Sequence, residues 1–203
     1  MAAAASTIAA KLERVGLKSD WDFILHLPLR YEDETRVTPI AQLIAGQEAQ
    51  VEGEVTKSEV AYRGRRQLHV TLRDDSGQLV LRFLNFYQSQ LKQMAVGRRL
   101  RVFGLARGGL TGDEMIHPRI RVADDARPLP QALTPVYSSP EGVPQSWLRK
   151  RIDRALRDVK IDEVLPAPTL AHLQLPALNA SIERLHHPPP DADPDALAQH
   201  TDS

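Results

Sequence analysis

The chain has 203 residues and a mass of 22.6 kDa, and its 26 Lys and Arg balance its 26 Asp and Glu to a formal net charge of zero. The 42% hydrophobic content excludes wholesale disorder, no apolar run approaches the roughly 20 residues of a membrane-spanning helix, and the absence of Cys excludes disulfides, thiolate metal ligands and a cysteine nucleophile. A neutral total argues against a nucleic-acid-binding protein, although an average can conceal an uneven distribution.

Residues 1–39 are predicted to form an N-terminal helical segment. Ser19 followed by Asp22 three positions later has the pattern of a capping box, and Pro28 ends the helix that begins there. The apolar face predicted for this helix comprises Trp21, Ile24, Leu25 and Leu27.

Residues 40–127 change to alternating apolar and polar positions separated by turn residues, which predicts β-strands. The five predicted strands are 49–57, 67–73, 78–86, 98–106 and 115–122, the last marked as an edge or bulged strand by Pro118. Residues 88–94 have helical composition and lie between the third and fourth strands. This order predicts a five-stranded OB-fold Greek-key barrel, with another small barrel or a sandwich as the alternative; overall the chain is expected to be mainly β with flanking α-helices, an α+β protein.

Residues 128–190 return to a helical pattern. A helix is predicted over 145–159 and a second over about 170–185, and the last residues, 191–203, are predicted to be a disordered tail because they are acidic, polar and interrupted by proline. The apolar face of the first of these helices comprises Leu148, Ile152, Ala155, Leu156 and Val159.

No catalytic constellation is recognisable. The chain has no phosphate-binding loop and no Gly-x-Gly-x-x-Gly motif, and its seven His are scattered without the spacing of a metal site. The adjacent carboxylates Asp74-Asp75 and Asp124-Asp125 fall in turn contexts, where solvated turn residues are the simpler interpretation.

Charge is distributed unevenly along the chain. Residues 49–127 contain 14 Lys and Arg against 9 Asp and Glu, a local charge of +5 that is balanced by −5 elsewhere, and twelve of these cations are Arg. Arg pairs phosphates bidentately and stacks on bases, so the predicted barrel is a candidate for binding nucleic acid.

Two loops and one strand of the predicted barrel supply candidate binding residues. Arg63, Arg65 and Arg66 connect strands one and two, and Arg107 begins the connection between strands four and five; these loops border the binding face of an OB-fold. The third strand adds Arg82, Phe83, Phe86 and Tyr87. Aromatic side chains beside cations can stack on single-stranded bases, but alternation equally allows Phe83 or Phe86 to be barrel core, and the loop arginines to be ordinary solvated charges.

An ordered set of short motifs resembles the N-terminal region of one bacterial family over about residues 12–190. The motifs are LHLPLRYED at 25–33, VEGEV at 51–55, GRR at 64–66, DSG at 75–77, RFLNF at 82–86, EMIHP at 114–118, LTPVY at 133–137 and LHHPP at 185–189. The family is that of the RecG branched-DNA helicases.

The resemblance implies a wedge domain, an OB-fold with flanking helices. Such a domain would bind forked or branched DNA, including single-stranded DNA at the junction, and part its arms while a helicase motor in cis pulls the duplex during recombination and repair. By motif match, base stacking would fall on Phe83 and Phe86 with basic support from Arg65 and Arg66. Leu84 stands where the family often has another Phe, and Tyr87 is a possible substitute.

The resemblance also implies a cytoplasmic, nucleoid-associated protein whose ATP and Mg²⁺ belong to the motor. Because the motor's phosphate loop is absent, residues 128–190 are interpreted as a linker region towards a missing motor, and the chain as a truncated fragment with no cofactor and no ATPase activity of its own. The alternative function is an OB-fold module that binds RNA or another protein.

Overall fold

The computed structural model describes residues 2–63, 65–109, 112–123, 128–192 and 197, without the side chains of 2–7, 63 and 65. The chain divides into two compact units, one made of residues 1–32 and 131–203 and the other of residues 33–130. The predicted boundaries at 39/40, 127/128 and 190/191 differ from this division, because the two flanking parts of the chain form a single unit.

Helices lie mainly towards the two ends of the described elements and most strands lie in the middle, with one 3-10 turn at Ile40–Gln42. In chain order they are α1 (Ala2–Arg14), α2 (Asp20–Ile24), β1 (Arg30–Glu32), β2 (Glu48–Arg63), β3 (Arg65–Arg73), β4 (Gln78–Phe83), α3 (Gln88–Gln93), β5 (Arg99–Gly109), β6 (Gly112–Ile116), β7 (Arg119–Val122), β8 (Thr134–Val136), α4 (Gln145–Asp158), α5 (Ala167–Leu173) and α6 (Leu178–His186). No helix among the described residues is both long and apolar enough to span a bilayer.

The second unit is a closed barrel of the OB type. Strands β2, β3, β4, β6 and β5 follow one another around a ring, β5 pairs again with β2, and β7 pairs with the Leu100–Phe103 part of β5, which precedes the part that pairs with β6. All of these pairs are antiparallel except β4 with β6, whose parallel pairing completes the ring. The predicted OB-fold is therefore confirmed, and α3 lies between the strands where the sequence places it.

The barrel core follows the alternation of the strands. Inward-facing apolar side chains are fully buried while most of their neighbours are only partly buried or exposed, and burial of each such side chain stabilises the fold by about 1.5–3 kcal/mol. The core includes Val51, Val55, Leu68, Val70, Leu72, Leu79, Leu81, Leu100, Val102 and Met115, with Met94 packing on it just beyond α3.

Three strand predictions need correction. The predicted fifth strand is two strands, β6 and β7, because Pro118 has no amide N–H for the sheet and His117 before it has φ 51°. The predicted third strand ends at Phe83 and not at Phe86, so Leu84–Tyr87 form a loop. The first strand is longer than predicted and continues to Arg63.

The first unit is organised around α4. Its predicted inner face is confirmed, since Leu148, Ile152 and Ala155 are fully buried. The capping box at the start of α2 is also confirmed: Ser19 Oγ accepts a hydrogen bond from the Asp22 N–H, and the Asp22 carboxylate accepts one from the Ser19 N–H.

Two further predictions for this unit are wrong in detail. The buried side of α2 is Phe23 and Ile24, whereas Trp21 and Leu25 are exposed. A helix of five residues makes little more than one turn, so it cannot bury a longer apolar face. The second helical stretch is split into α5 and α6, since Gln174 adopts a left-handed conformation and Pro176 follows it. Most of the predicted disordered tail lies outside the described residues.

The adjacent histidines of this unit bind protein groups. His186 is buried, with Nδ1 beside the Tyr137 hydroxyl at 2.9 Å and Nε2 beside the Ile24 carbonyl oxygen at 2.8 Å. Burial lowers the pKa of His186. His187 pairs with Asp153 at 3.0 Å, and this hydrogen bond raises the pKa of His187. The two imidazoles therefore have separate structural partners.

Gly53 supplies a test of the barrel's packing. A Cβ at this position would meet the Arg73 carbonyl oxygen at 2.5 Å, a backbone atom that cannot move aside, whereas a Cβ at Gly108 would meet nothing within 4 Å. Gly53→Ala is expected to lower the free energy of unfolding of the barrel by about 1–3 kcal/mol. The measurement is hydrogen exchange of the β3 and β4 amides in urea. Gly108→Ala is the matched control, expected to stay within about 0.5 kcal/mol of the wild type; equal effects of the two substitutions would contradict the packing at Gly53.

Candidate nucleic-acid interface

The hairpin of β2 and β3 extends beyond the rest of the barrel. Strand β4 pairs with β3 only from Leu68 to Arg73, and β5 pairs with β2 only from Glu48 to Glu54. At the tip, Ala61 to Arg63 pair only with Arg65 to Gln67 within the described residues. Within the described residues, neither edge of the hairpin tip is paired with a further strand.

One side of this tip carries an aromatic ring and a cation next to each other. Tyr62 lies directly opposite Arg66, so their side chains share a face, and the Tyr62 side chain is 79% exposed. The guanidinium carbon of Arg66 lies 4.6 Å from the centroid of the Phe86 ring. This cation–π contact orients Arg66 without neutralising its charge.

The loop that follows β4 supplies the remaining aromatic groups. Phe86 is half-buried and packs against the barrel core, whereas Tyr87 is 80% exposed. The Tyr87 N–H donates a hydrogen bond to Gln90 Oε1 at 2.8 Å, which joins the end of this loop to α3. We call Tyr62, Arg66, Phe86 and Tyr87 the rim surface.

Phe83, predicted as a stacking residue, belongs to the barrel core. It is 3% exposed, lies opposite Leu68 on the inward side of β4, and meets the His117 ring edge-on at 5.8 Å between centroids. Alternation allows Phe83 to be either a stacking residue or a core residue, and the structure places it in the core. Strand β4 ends at Phe83, so Phe86 lies in the loop that follows, where it is half-buried.

Arg82, predicted as a DNA-binding residue, is engaged inside the sheet. Its Nη1 lies 3.1 Å from Glu114 Oε2 and its Nη2 lies 3.3 Å from Gln67 Oε1. These contacts connect β4 with β6 on one side and with β3 on the other. Arg82 therefore holds together the parallel closure of the barrel, and its charge is compensated.

The other predicted cations are placed less completely. Arg63 ends β2 and Arg65 begins β3, so both lie at the hairpin tip by their backbones, while their side chains fall outside the described residues. Arg107 is exposed on β5, next to the hairpin whose Leu110 and Thr111 also fall outside the described part. No contact in the described part of the chain joins Arg107 to the rim surface.

Sequence reasoning missed Tyr62. It immediately precedes the arginine-rich turn and stands two positions after Val60, on the face that continues the barrel interior. An aromatic residue at the last alternating position before a basic turn was the available signal. Tyr62 was not predicted because the predicted strand stops at Lys57, whereas β2 continues to Arg63.

Internal ion pairs reduce the excess charge of the barrel. Glu52 binds both Arg99 and Arg101 at 2.8 Å, and Glu34 binds Arg119 and lies 3.6 Å from Arg121. Glu52 is already among the nine carboxylates counted along residues 49–127, so only Glu34, which lies outside that range, offsets part of the +5 excess. The guanidinium groups of Arg99, Arg101, Arg119 and Arg121 therefore have carboxylate partners within the fold.

The paired carboxylates at 74 and 75 have the structural role of a turn. Asp74 accepts hydrogen bonds from the backbone N–H groups of Ile40, Ser76 and Gly77. Burial opposes ionisation of Asp74, but these hydrogen bonds outweigh it and lower its pKa. No cluster of three or more His, Asp or Glu with metal-binding geometry occurs in the described part of the chain. Asp124 and Asp125 lie outside the described residues.

Comparison with known families identifies the chain. A family model described as the RecG wedge domain matches residues 4–159. The chain belongs to the RecG wedge domain family. Relatives named ATP-dependent DNA helicase RecG include one from Escherichia coli K12, 42% identical over 190 residues that cover 91% of this chain and 27% of the relative. Another, from Pasteurella multocida, is 38% identical over 201 residues that cover 97% of this chain and 29% of the relative.

The chain therefore spans about a quarter of the length of the curated relatives it matches. The solved structure of RecG bound to a three-way DNA junction has a similar fold, with a TM-score of 0.67 and 19% identity over 94% of this chain and 26% of that one. The wedge-domain resemblance carried by the sequence motifs is confirmed.

The contrast between Arg82 and Arg66 is testable by stability. Arg82→Gln leaves the half-buried Glu114 carboxylate without its partner and is expected to lower the free energy of unfolding of the barrel by about 1–3 kcal/mol. Arg66→Gln removes an exposed cation–π contact and is expected to lower it by at most about 1 kcal/mol. Hydrogen exchange of the β4 and β6 amides measures both. An Arg66→Gln variant that is the less stable of the two would contradict the assignment.

Proposed function

We propose that the barrel is a DNA-junction binding module that recognises forked or branched DNA through the rim surface. The observation that carries the proposal is the position of Arg66, held over Phe86 on a projecting hairpin, with the exposed rings of Tyr62 and Tyr87 on the same two segments. A cation with exposed aromatic groups on its own hairpin and on the adjoining loop matches the chemistry of a phosphate with unpaired bases beside it.

Each part of the rim surface has a role in this proposal. Arg66, with Arg63 and Arg65 at the tip, pairs with phosphates and holds the backbone of the DNA. Tyr62 and Tyr87 stack on bases that lose their partners where the duplex branches. Phe86 is a fixed ring beneath Arg66, and its half-buried position keeps the cation from folding back onto the barrel.

Membership of the wedge-domain family supports a wider proposal about the longer protein. The relatives are named as ATP-dependent DNA helicases and are almost four times the matched length. We infer that this chain parts the arms of a junction while a motor in cis, with its own ATP and Mg²⁺, pulls the duplex during recombination and repair. The phosphate chemistry of that motor requires residues other than those described above.

Stacking on opened bases predicts selective loss of fork binding in tyrosine variants. Tyr62→Ala and Tyr87→Ala are each expected to weaken binding to forked DNA by roughly 5- to 150-fold, the equivalent of about 1–3 kcal/mol per stacked base, with little change for plain duplex. Fluorescence anisotropy with forked and linear DNA of the same sequence measures both affinities. Tyr62→Phe and Tyr87→Phe keep the ring and are the matched controls, expected to bind as the wild type does.

Phosphate pairing by Arg66 predicts a different signature. Arg66→Gln is expected to weaken fork and duplex binding together and to reduce the slope of log affinity against log salt by about 0.7–0.9, the contribution of one phosphate contact. Arg98→Gln removes an exposed cation next to Val55, in the middle of β2 and away from the tip, and is the control expected to keep both affinities and the salt slope of the wild type. Equal affinity of the wild type for fork and duplex would overturn junction recognition.

A further inference from the structure

His117 occupies an unusual backbone position next to the rim surface. It is one of only two non-glycine residues in the described part of the chain with positive φ, at 51°. His is among the residue types that tolerate this left-handed region, although the conformation is still disfavoured. A residue in this disfavoured conformation must be stabilised by the contacts of its backbone and side chain.

The backbone of His117 continues the parallel closure of the barrel. Ile116 lies opposite Arg82, and the His117 N–H donates a hydrogen bond to the Arg82 carbonyl oxygen at 2.8 Å. The left-handed turn then carries the chain into Pro118. The imidazole of His117 is thereby brought to the point where β4 ends.

The imidazole provides an acceptor that the sheet lacks at this point. The Leu84 N–H, the first after β4, donates to His117 Nε2 at 3.2 Å. The ring also meets Phe83 edge-on, at 5.8 Å between centroids and 90° between planes. This hydrogen bond requires Nε2 without a proton, which is the tautomer that carries its proton on Nδ1.

The consequence is a loop that is tied at both ends. His117 holds Leu84 at the start of the loop, and Gln90 holds the Tyr87 N–H at its end. Phe86, under the Arg66 guanidinium, lies between these two hydrogen bonds, and the exposed Tyr87 follows it directly. A displacement of Leu84 would move both aromatic rings relative to the hairpin.

We propose that His117 is a positioning residue for the rim surface: by accepting a hydrogen bond from the Leu84 N–H it holds the Leu84–Tyr87 loop in the arrangement that keeps Phe86 beneath Arg66 and presents Tyr87 to DNA. His117 acts through the loop and does not itself contact the ligand. Its value for DNA recognition rests on the proposed function of the rim surface, whereas its effect on the loop is a property of the free protein.

The test uses two substitutions at the same strained position. His117→Gln keeps a hydrogen-bond acceptor at a similar reach along the side chain, and His117→Leu fills similar apolar volume without an acceptor. Both replace His in the left-handed conformation, so backbone strain affects them alike. Hydrogen exchange of the Leu84 amide in the free protein measures the order of the loop, and the ratio of fork to duplex affinity measures recognition.

His117→Leu is expected to accelerate exchange of the Leu84 amide and to lower the fork-to-duplex affinity ratio by about 3- to 10-fold, the range for loss of one hydrogen bond. His117→Gln is expected to restore most of both. Equal exchange of Leu84 in the two variants would overturn the proposal.

A measurement on the wild type decides the matter even if His117→Leu fails to fold. A long-range ¹H–¹⁵N spectrum at pH 8 is expected to show the His117 proton on Nδ1 with Nε2 unprotonated, and a proton on Nε2 would overturn the proposal. If the wild type does not prefer forked DNA, the proposed function of the rim surface fails, while Leu84 exchange and the tautomer still report on the role of His117 in the loop.

Discussion

The parallel pairing of β4 with β6 is the constraint on which the barrel depends. Every other strand pair in the ring is antiparallel, whereas this one is parallel and joins two strands separated in sequence by α3 and the whole of β5. Arg82 and Glu114 secure the pair with a half-buried ion pair, and the His117 N–H extends it by one hydrogen bond. Closure also determines where β4 ends, and hence where the Leu84–Tyr87 loop leaves the barrel.

The candidate site is a by-product of this geometry. The β2–β3 hairpin extends past the last residue of β4, so Tyr62 and Arg66 project beyond the ring. The loop after β4 then turns beneath the hairpin and brings the Phe86 ring under the guanidinium of Arg66. Two segments that leave the barrel at neighbouring places thus combine a cation with aromatic rings.

The sequence predicts much of the fold because strand alternation and turn residues are local signals. Val51, Val55 and Gly77 indicate strands and a turn without knowledge of any distant residue, and Leu148 and Ile152 do the same for α4. Family motifs then identify the wedge domain. The corrected points depend on local geometry that these patterns do not encode, such as the break at Pro118 and the split between α5 and α6.

The candidate site was harder to predict for a related reason. Period-two alternation places Phe83 and Phe86 on opposite faces only if the strand continues through both, and it ends between them. Arg82 pairs with Glu114, which lies 32 positions away in the sequence. A count of charges along the sequence does not reveal this ion pair. Tyr62 was not predicted because the length of a projecting hairpin is set by the register of two strands and not by either strand alone.

The central claim, that bases at a branch point lie against the rim surface, is tested most directly by photocrosslinking. Forked DNA carrying 5-iodouracil at the branch point is irradiated in complex with the protein, and the attachment site is mapped by mass spectrometry, with 5-iodouracil in the duplex arm as the comparison. The account predicts attachment to Tyr62 or Tyr87 from the branch point and none at these residues from the arm. Attachment confined to residues outside the β2–β3 hairpin and the Leu84–Tyr87 loop would contradict it.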